Sequence, residues 1–374
     1  ANFLMACSFN LLMPSIPLYI TEQMGVPQTK TGIVLSSYAI AMLLIRPFAG
    51  YFVDMYSRKK LLLFGFLCYV GIFFGYFWAS TVLIFVLVRF MHGMMWGLTT
   101  VSSSTLAIDV IPSERRAEGI GYYGTFMNVA MAIGPFIAIH IYHEYGFQQL
   151  LWCGIAMGVL GIIAVALIKA PERPRAEKVN APLSLDRFFL VKAWPIFINQ
   201  LIVCFAWGTI GPFVAQYGKE ISIPNAGIFF LFWASGIIFS RIISGRLVDK
   251  GYIHHVNMVA MLIIGVAFAV FATIHNIYAF CISGLFIGIG FGSMFPALQT
   301  LYVNMARNDQ RGTANSTYLV GFDLGLSLGM LLGGYVSVIF SFEALYYTAA
   351  ATAIVSMIIY GLSSRKVFES KKLR

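Results

Sequence analysis

Apolar runs of about twenty residues follow one another along the chain, each closed by a short polar stretch, and the hydrocarbon core of a bilayer takes about 20 residues of apolar helix to cross. On that measure the chain divides into twelve spans: 3–21, 32–53, 61–79, 82–106, 117–141, 150–168, 194–215, 227–247, 256–274, 277–302, 314–338 and 344–362. It opens directly in an apolar run, with no charged n-region and no small-residue cleavage site. That reads as a first spanning helix preceded by a short leader, not as a signal peptide. The pattern predicts an all-α membrane protein with twelve transmembrane helices.

Composition excludes the soluble alternative. The chain is 59% apolar and 11% charged, where a soluble domain carries about 25% charged residues. The net charge of +10 would suit a nucleic-acid partner, but its placement speaks against one. With the N-terminus cytoplasmic, twenty of the 25 Lys and Arg fall on the inside, among them Arg58, Lys59, Lys60, Arg115, Arg116 and five from Arg365 to Arg374. The outside loops hold Lys30 and Lys219, and Arg46, Arg89 and Arg241 lie within spans. This is the positive-inside bias of a membrane protein. It places both termini in the cytoplasm and the protein in a bacterial inner membrane, with the lipid bilayer as partner and no nucleic acid. Cys7, Cys68, Cys153, Cys204 and Cys281 are scattered without a CxxC pair, so no disulfide, metal or cofactor is expected.

A shift of 195 residues aligns the chain with itself. Pro17 falls on Pro212, Gly93 on Gly288, Arg116 on Arg311 and Tyr123 on Tyr318. The string Arg46, Gly50, Val53, Asp54 falls on Arg241, Gly245, Val248, Asp249. Apolar coincidences are cheap in such a composition, but a shared R-x3-G-x2-V-D is not. The chain therefore reads as an N-terminal six-helix bundle (1–169), a polar cytoplasmic linker (170–192), a C-terminal six-helix bundle (193–364) and a basic tail (365–374). Six helices per half give both halves one orientation, so two pseudo-symmetric bundles can rock about a central cavity in alternating access.

The second span ends in Gly50-Tyr-Phe-Val-Asp54-Met-Tyr-Ser-Arg58-Lys59-Lys60. This resembles the loop signature of the major facilitator superfamily, G-x3-D-x2-G-R-R/K, with Ser57 at the second glycine. Gly245-Arg-Leu-Val-Asp249-Lys-Gly251 is a second copy lacking the basic triplet. Arg89-Phe-Met-His92-Gly93 is similar to the family's R-x2-Q-G. Asp109-Val-Ile-Pro112-Ser-Glu-Arg115-Arg116-Ala-Glu-Gly119 resembles D-x2-P-x3-R-G, and Gly134-Pro135 the start of the antiporter string G-P-x2-G-G, whose last glycines are absent here. The resemblance implies a transporter of the drug or metabolite:proton antiporter branch. It implies a cytoplasmic gate built from Asp54, Arg58, Asp109, Arg115, Arg116, Asp249 and Arg311, whose weak pairs lock and release.

Ionisable groups at membrane depth are candidate functional residues because a charge there costs about 2.5–3.5 kcal/mol on insertion scales. Asp323, deep in the span 314–338 beside a glycine ridge, is the first candidate for proton coupling; its repeat partner is Asn128. Arg89, with His92 on the same helical face, and Glu22 complete that set, against packing roles for His92 and a solvated one for Glu22. Arg46 and Arg241 are expected to pair structurally. Tyr19, Tyr38, Tyr123, Asn128, Trp207, Trp233 and Tyr318 are the candidate substrate contacts, on helices that line the family's cavity.

The function expected is proton-coupled export of a small organic solute by a monomer, with protons as the second partner. The alternative is a symporter or uniporter for a sugar or organic anion. A membrane enzyme would need a clustered nucleophile or metal set, and the chain has no P-loop. A sensor would not need Asp323.

Overall fold

In hydrocarbon every backbone N–H and C=O must be satisfied within the chain, and helix is the local solution for apolar runs of this length. The computed structural model describes residues 1–25, 28–169, 184–223 and 226–373. Most of the expected linker (170–183) and Arg374 of the tail lie outside the described residues, as do the side chains at 28–33, 132 and 135.

The chain folds into α1 (Asn2–Glu22), α2 (Gln28–Met55), α3 (Arg58–Phe77), α4 (Val82–Val110), α5 (Arg116–Tyr145), α6 (Phe147–Leu167), α7 (Trp194–Gly208), α8 (Ile210–Glu220), α9 (Ile228–Leu247), α10 (Ile253–Thr273), α11 (Ile277–Met305), α12 (Arg311–Ile339), α13 (Phe342–Ile359) and α14 (Arg365–Lys371), with no strand among the described residues. Eleven stretches among the described residues are long and apolar enough to cross a membrane. One of them, Ile228–Thr273, runs 46 residues, more than twice the roughly 20 that a crossing needs. It is broken between α9 and α10 at Gly251, whose φ is 93°, a left-handed conformation that glycine adopts without penalty.

The span expected at 194–215 is also divided, into α7 and α8 around Thr209. Pro212 accounts for the break, since its ring lacks an N–H and crowds the carbonyl four residues back, at Gly208. Its repeat partner Pro17 leaves α1 continuous.

Two compact units emerge. The first comprises Ala1–Val110, Tyr123–Phe188 and Asp309–Ser316, and the second Ile111–Tyr122, Phe189–Asn308 and Thr317–Arg374. Each unit thus takes the opening turns of one helix whose remainder belongs to the other: α12 begins in the first unit and α5 in the second. The first unit is centred on Phe66, Tyr69, Phe73, Phe85 and Leu150, all fully buried. The second buries Tyr217, Phe229, Phe271, Phe280 and Tyr346 in mutual ring contact.

Within each unit one helix pair crosses at glycine. A Cβ added to Gly93 of α4 would lie 2.3 Å from the carbonyl of Tyr38 in α2, and one on Gly288 of α11 would lie 2.1 Å from that of Trp233 in α9. Small residues admit this approach. Gly288→Ala is expected to cost about 1–3 kcal/mol, the usual range for overpacking, seen as a lower thermal midpoint of the purified protein. Gly71→Ala is the control, because its Cβ would meet nothing within 4 Å. Equal midpoints for the two variants would contradict the close crossing.

Candidate functional site

In the first unit, charge collects where the ends of α2 and α4 meet the start of α12. Asp54 Oδ1 accepts from the backbone N–H of Gly312 at 2.7 Å, and Oδ2 from the N–H of Thr313 at 2.8 Å and its hydroxyl at 2.9 Å. The first N–H groups of a helix have no intrahelical partner, and a carboxylate there also meets the positive end of the helix dipole. Arg58, opening α3, lies 3.6 Å from Asp54 and pairs with Asp109. Asp109 also receives Arg311 Nη1 at 2.9 Å. Side-chain exposures of 3–11% set this network in a medium that screens it less than water does.

Neighbouring contacts hold the same segment. Asn315 Nδ2 donates to Ser104 Oγ at 2.5 Å and Thr105 Oγ1 at 3.1 Å, and the Ser316 hydroxyl donates to the carbonyl of Arg46. Gly50 is where α2 and α12 come closest: a Cβ there would lie 2.7 Å from Ser316 Cβ and 3.1 Å from the Gly312 carbonyl.

The second unit repeats this arrangement on other elements. Asp249 accepts from the N–H of Ala117 at 2.8 Å and of Glu118 at 3.0 Å, at the start of α5. Arg116 Nη1 donates to Asn304 Oδ1 at 3.4 Å, and Arg246 Nε to Glu118 Oε1 at 2.9 Å. A Cβ on Gly245 would lie 2.6 Å from Glu118 Cα. The 195-residue shift carries Asp54 to Asp249, Gly312 and Thr313 onto Ala117 and Glu118, Arg311 onto Arg116, and Asp109 onto Asn304. The copy is weaker: Arg58 falls on Ile253, and Asp249 lies less deep than Asp54. Arg115 is exposed and lines the same cavity as Glu118, Arg246 and Asp249, within electrostatic reach of Glu118.

The short helix α14 closes over this region of the second unit. Phe368 is buried, Glu369 Oε1 lies 2.8 Å from His254 Nε2, and the N–H of Leu373 donates to the carbonyl of Asn304 at 2.9 Å.

The expected coupling residues are dispersed. Asp323 is buried in α12, within electrostatic reach of Cys204 on α7. His92 is fully buried among the rings of Tyr38, Tyr69, Phe73 and Tyr76, with Nδ1 2.9 Å from the Tyr76 hydroxyl. Arg89 is buried one turn before it on α4. Glu22, exposed at the end of α1, accepts from the Tyr142 hydroxyl at 2.9 Å.

The expected substrate contacts fall into separate groups. Trp207 and Trp233 meet at 4.7 Å between centroids, joined by Phe291, Phe295 and Phe322. Tyr38 lies under Arg89 at 4.2 Å. Tyr19 stacks on Phe147 at 4.0 Å. The Tyr123 hydroxyl donates to Ser103 Oγ at 2.9 Å, and Tyr318 packs edge-on to Tyr302. Asn128 is half-buried, and its Nδ2 meets no acceptor among the described residues. Arg46 Nη2 lies 3.4 Å from Met42 Sδ, and Arg241 Nη1 donates to the Gly121 carbonyl at 3.5 Å.

Sequence reasoning passed over Thr313, Asn304, Asn315 and Ser316. Asn304 had a signal, since the repeat register sets it under Asp109.

A sequence model of the family described as Major Facilitator Superfamily matches residues 1–251 and again residues 196–373. The chain belongs to the major facilitator superfamily. Among its relatives, the multi-drug resistance efflux pump PmrA of Streptococcus pneumoniae is 23% identical over 100% of this chain and 96% of its own length. The staphylopine export protein of Staphylococcus aureus is 24% identical over 90% of this chain and 88% of its own. Among solved structures, the human organic anion transporter MFSD10 (TETRAN) superposes with a TM-score of 0.80 at 14% identity, covering 96% of each chain, a likeness of fold alone. The protein is a multi-pass membrane transporter of the superfamily and not an enzyme.

Proposed function

We propose that this transporter exports a small organic solute from a bacterial cell in exchange for protons, by rocker-switch alternating access. On this reading the chain crosses the inner membrane twelve times, Ile228–Thr273 counting as two crossings. Its two six-helix bundles are 1–169 and 193–364, a monomer suffices, and the charge bias sets both termini in the cytoplasm.

The observation that carries the reading is the pair of repeat-related aspartate caps, Asp54 on α12 and Asp249 on α5. Each holds the opening turns of a helix whose remainder belongs to the other unit. A cap of this kind contributes about 0.5–2 kcal/mol, enough to favour a closed gate and little enough to release in every cycle. Export as the direction is supported by the names of the two bacterial relatives, and buried Asp323 supplies a titratable group for the proton.

The test is flux in proteoliposomes with an imposed pH gradient, using tetraphenylphosphonium, a sugar and an aromatic carboxylate as probes. At least one probe is expected to accumulate, and a protonophore to abolish the accumulation. Probe flux that ignores the gradient would replace exchange with facilitated diffusion.

A further inference from the structure

Arg89 is a buried charge with no counter-charge among the described residues. It is 1% exposed, its Cζ stands 4.2 Å above the Tyr38 ring, and Nη2 reaches Met13 Sδ at 3.6 Å. Nε and Nη1 have no hydrogen-bond partner among the described residues, and none of their ion pairs involves Arg89. The neutral Tyr76 hydroxyl stands within hydrogen-bonding reach of the guanidinium and is shared with His92 Nδ1 at 2.9 Å, so it brings no negative charge. By contrast, Arg58 and Arg311 share Asp109, Arg116 has Asn304 and Arg241 has a carbonyl. The Tyr38 hydroxyl and His92 Nε2, in the same cluster, also lack partners among the described residues.

An arginine does not shed its proton, and an uncompensated charge in a low-dielectric interior costs several kcal/mol. Such a group persists where something anionic visits it. The guanidinium fork matches a carboxylate in two parallel hydrogen bonds. What lies against its third nitrogen is a methionine, whose unbranched thioether changes rotamer readily, and Met13 is itself 40% exposed. Turning that one side chain would uncover the fork. Beside it, Tyr38 and Trp96 flank Phe9 at centroid distances of 5.6 and 4.3 Å, an aromatic surface continuous with the cation.

We propose that Arg89 anchors an anion-recognition site reached past Met13, which takes the carboxylate of a small organic acid whose apolar body lies along Phe9, Tyr38 and Trp96. This rests on the transport reading and names organic acids as the substrate class.

The purified full chain is titrated with 1-naphthoate, its methyl ester and tetraphenylphosphonium, following tryptophan fluorescence. Wild type is expected to bind naphthoate at least about tenfold more tightly than the ester, and Arg89→Met to erase that difference while leaving ester binding unchanged. Equal affinity for acid and ester in wild type, or an unchanged preference in Arg89→Met, overturns the proposal. Should Arg89→Met not fold, Met13→Cys gives a second reading. An anionic methanethiosulfonate is expected to modify it about tenfold faster than a cationic one, and naphthoate to slow the reaction. Equal rates without protection overturn the proposal. Failure of the transport reading looks different: naphthoate binds through Arg89, yet no probe crosses the proteoliposome membrane. Gradient-driven flux of tetraphenylphosphonium that survives Arg89→Met, together with no acid preference, leaves transport standing and removes the organic-acid assignment.

Discussion

Reconstituted Asp323→Asn protein is expected to equilibrate substrate across the membrane but to lose the ability to concentrate it against a pH gradient. Asp323 is buried well inside α12, whereas the other acids of the described helices lie within about a turn of a helix end. At that depth the charged carboxylate costs about 2.5–3.5 kcal/mol, a penalty removed by taking up a proton and offset when water or substrate reaches the group. Asparagine keeps the size and the hydrogen-bonding capacity but cannot titrate. A gradient of one pH unit is worth about 1.4 kcal/mol per proton, so one-for-one exchange concentrates a neutral solute up to about tenfold. The variant is expected to settle at a ratio of one under the same gradient. Wild-type accumulation by Asp323→Asn, measured with the same probes, would remove this residue from coupling.

Loss of the Asp54 cap is the second large effect. Asp54→Ala deletes three hydrogen bonds to α12, while Arg58 keeps Asp109 and is not left as an isolated charge. Bonds to a charged acceptor contribute about 1.5–3 kcal/mol, and neutral caps about 0.5–2. A net loss of about 2 kcal/mol shifts the closed-to-open balance about thirtyfold. Amide hydrogen exchange at Gly312 and Thr313 is expected to accelerate by that factor. Asp249→Ala should have the smaller effect at Ala117 and Glu118, because Asp249 makes two such bonds and is less buried. Unchanged protection at Gly312 in Asp54→Ala would show that the cap does not hold the segment.

Much of this was legible in the sequence, for identifiable reasons. Hydropathy marks spans because lipid enforces it. The 195-residue repeat marked Asp54, Asp249, Arg116 and Arg311 because their polarity stands out against apolar surroundings. What they bind was less legible. The caps grip backbone N–H groups, and Gly312 or Ala117 carries no side-chain signal for that role. Arg115 and Arg116 are indistinguishable in sequence, yet Arg115 ends a short 3₁₀ turn and stays exposed while Arg116 opens α5 and is buried. Ser57 departs from the family's glycine at no cost, because its φ of −62° needs none; in the second half the left-handed residue is Gly251. Tyr19, Tyr123 and Tyr318 sit in different side-chain clusters from Trp207 and Trp233, a grouping that the sequence does not show. Which face of an all-apolar helix turns inward is decided by partners far along the chain, and periodicity does not report it.

The seating of α14 has a practical corollary. Leu373 donates its amide to the backbone carbonyl of Asn304, whose side-chain Oδ1 accepts from Arg116, and Phe368 is sunk nearby. A purification tag or fluorescent reporter inserted beside Leu373 would pull on that anchorage. Insertions there therefore call for a spacer of flexible residues, and kinetics recorded without one describe a protein whose α14 is unseated.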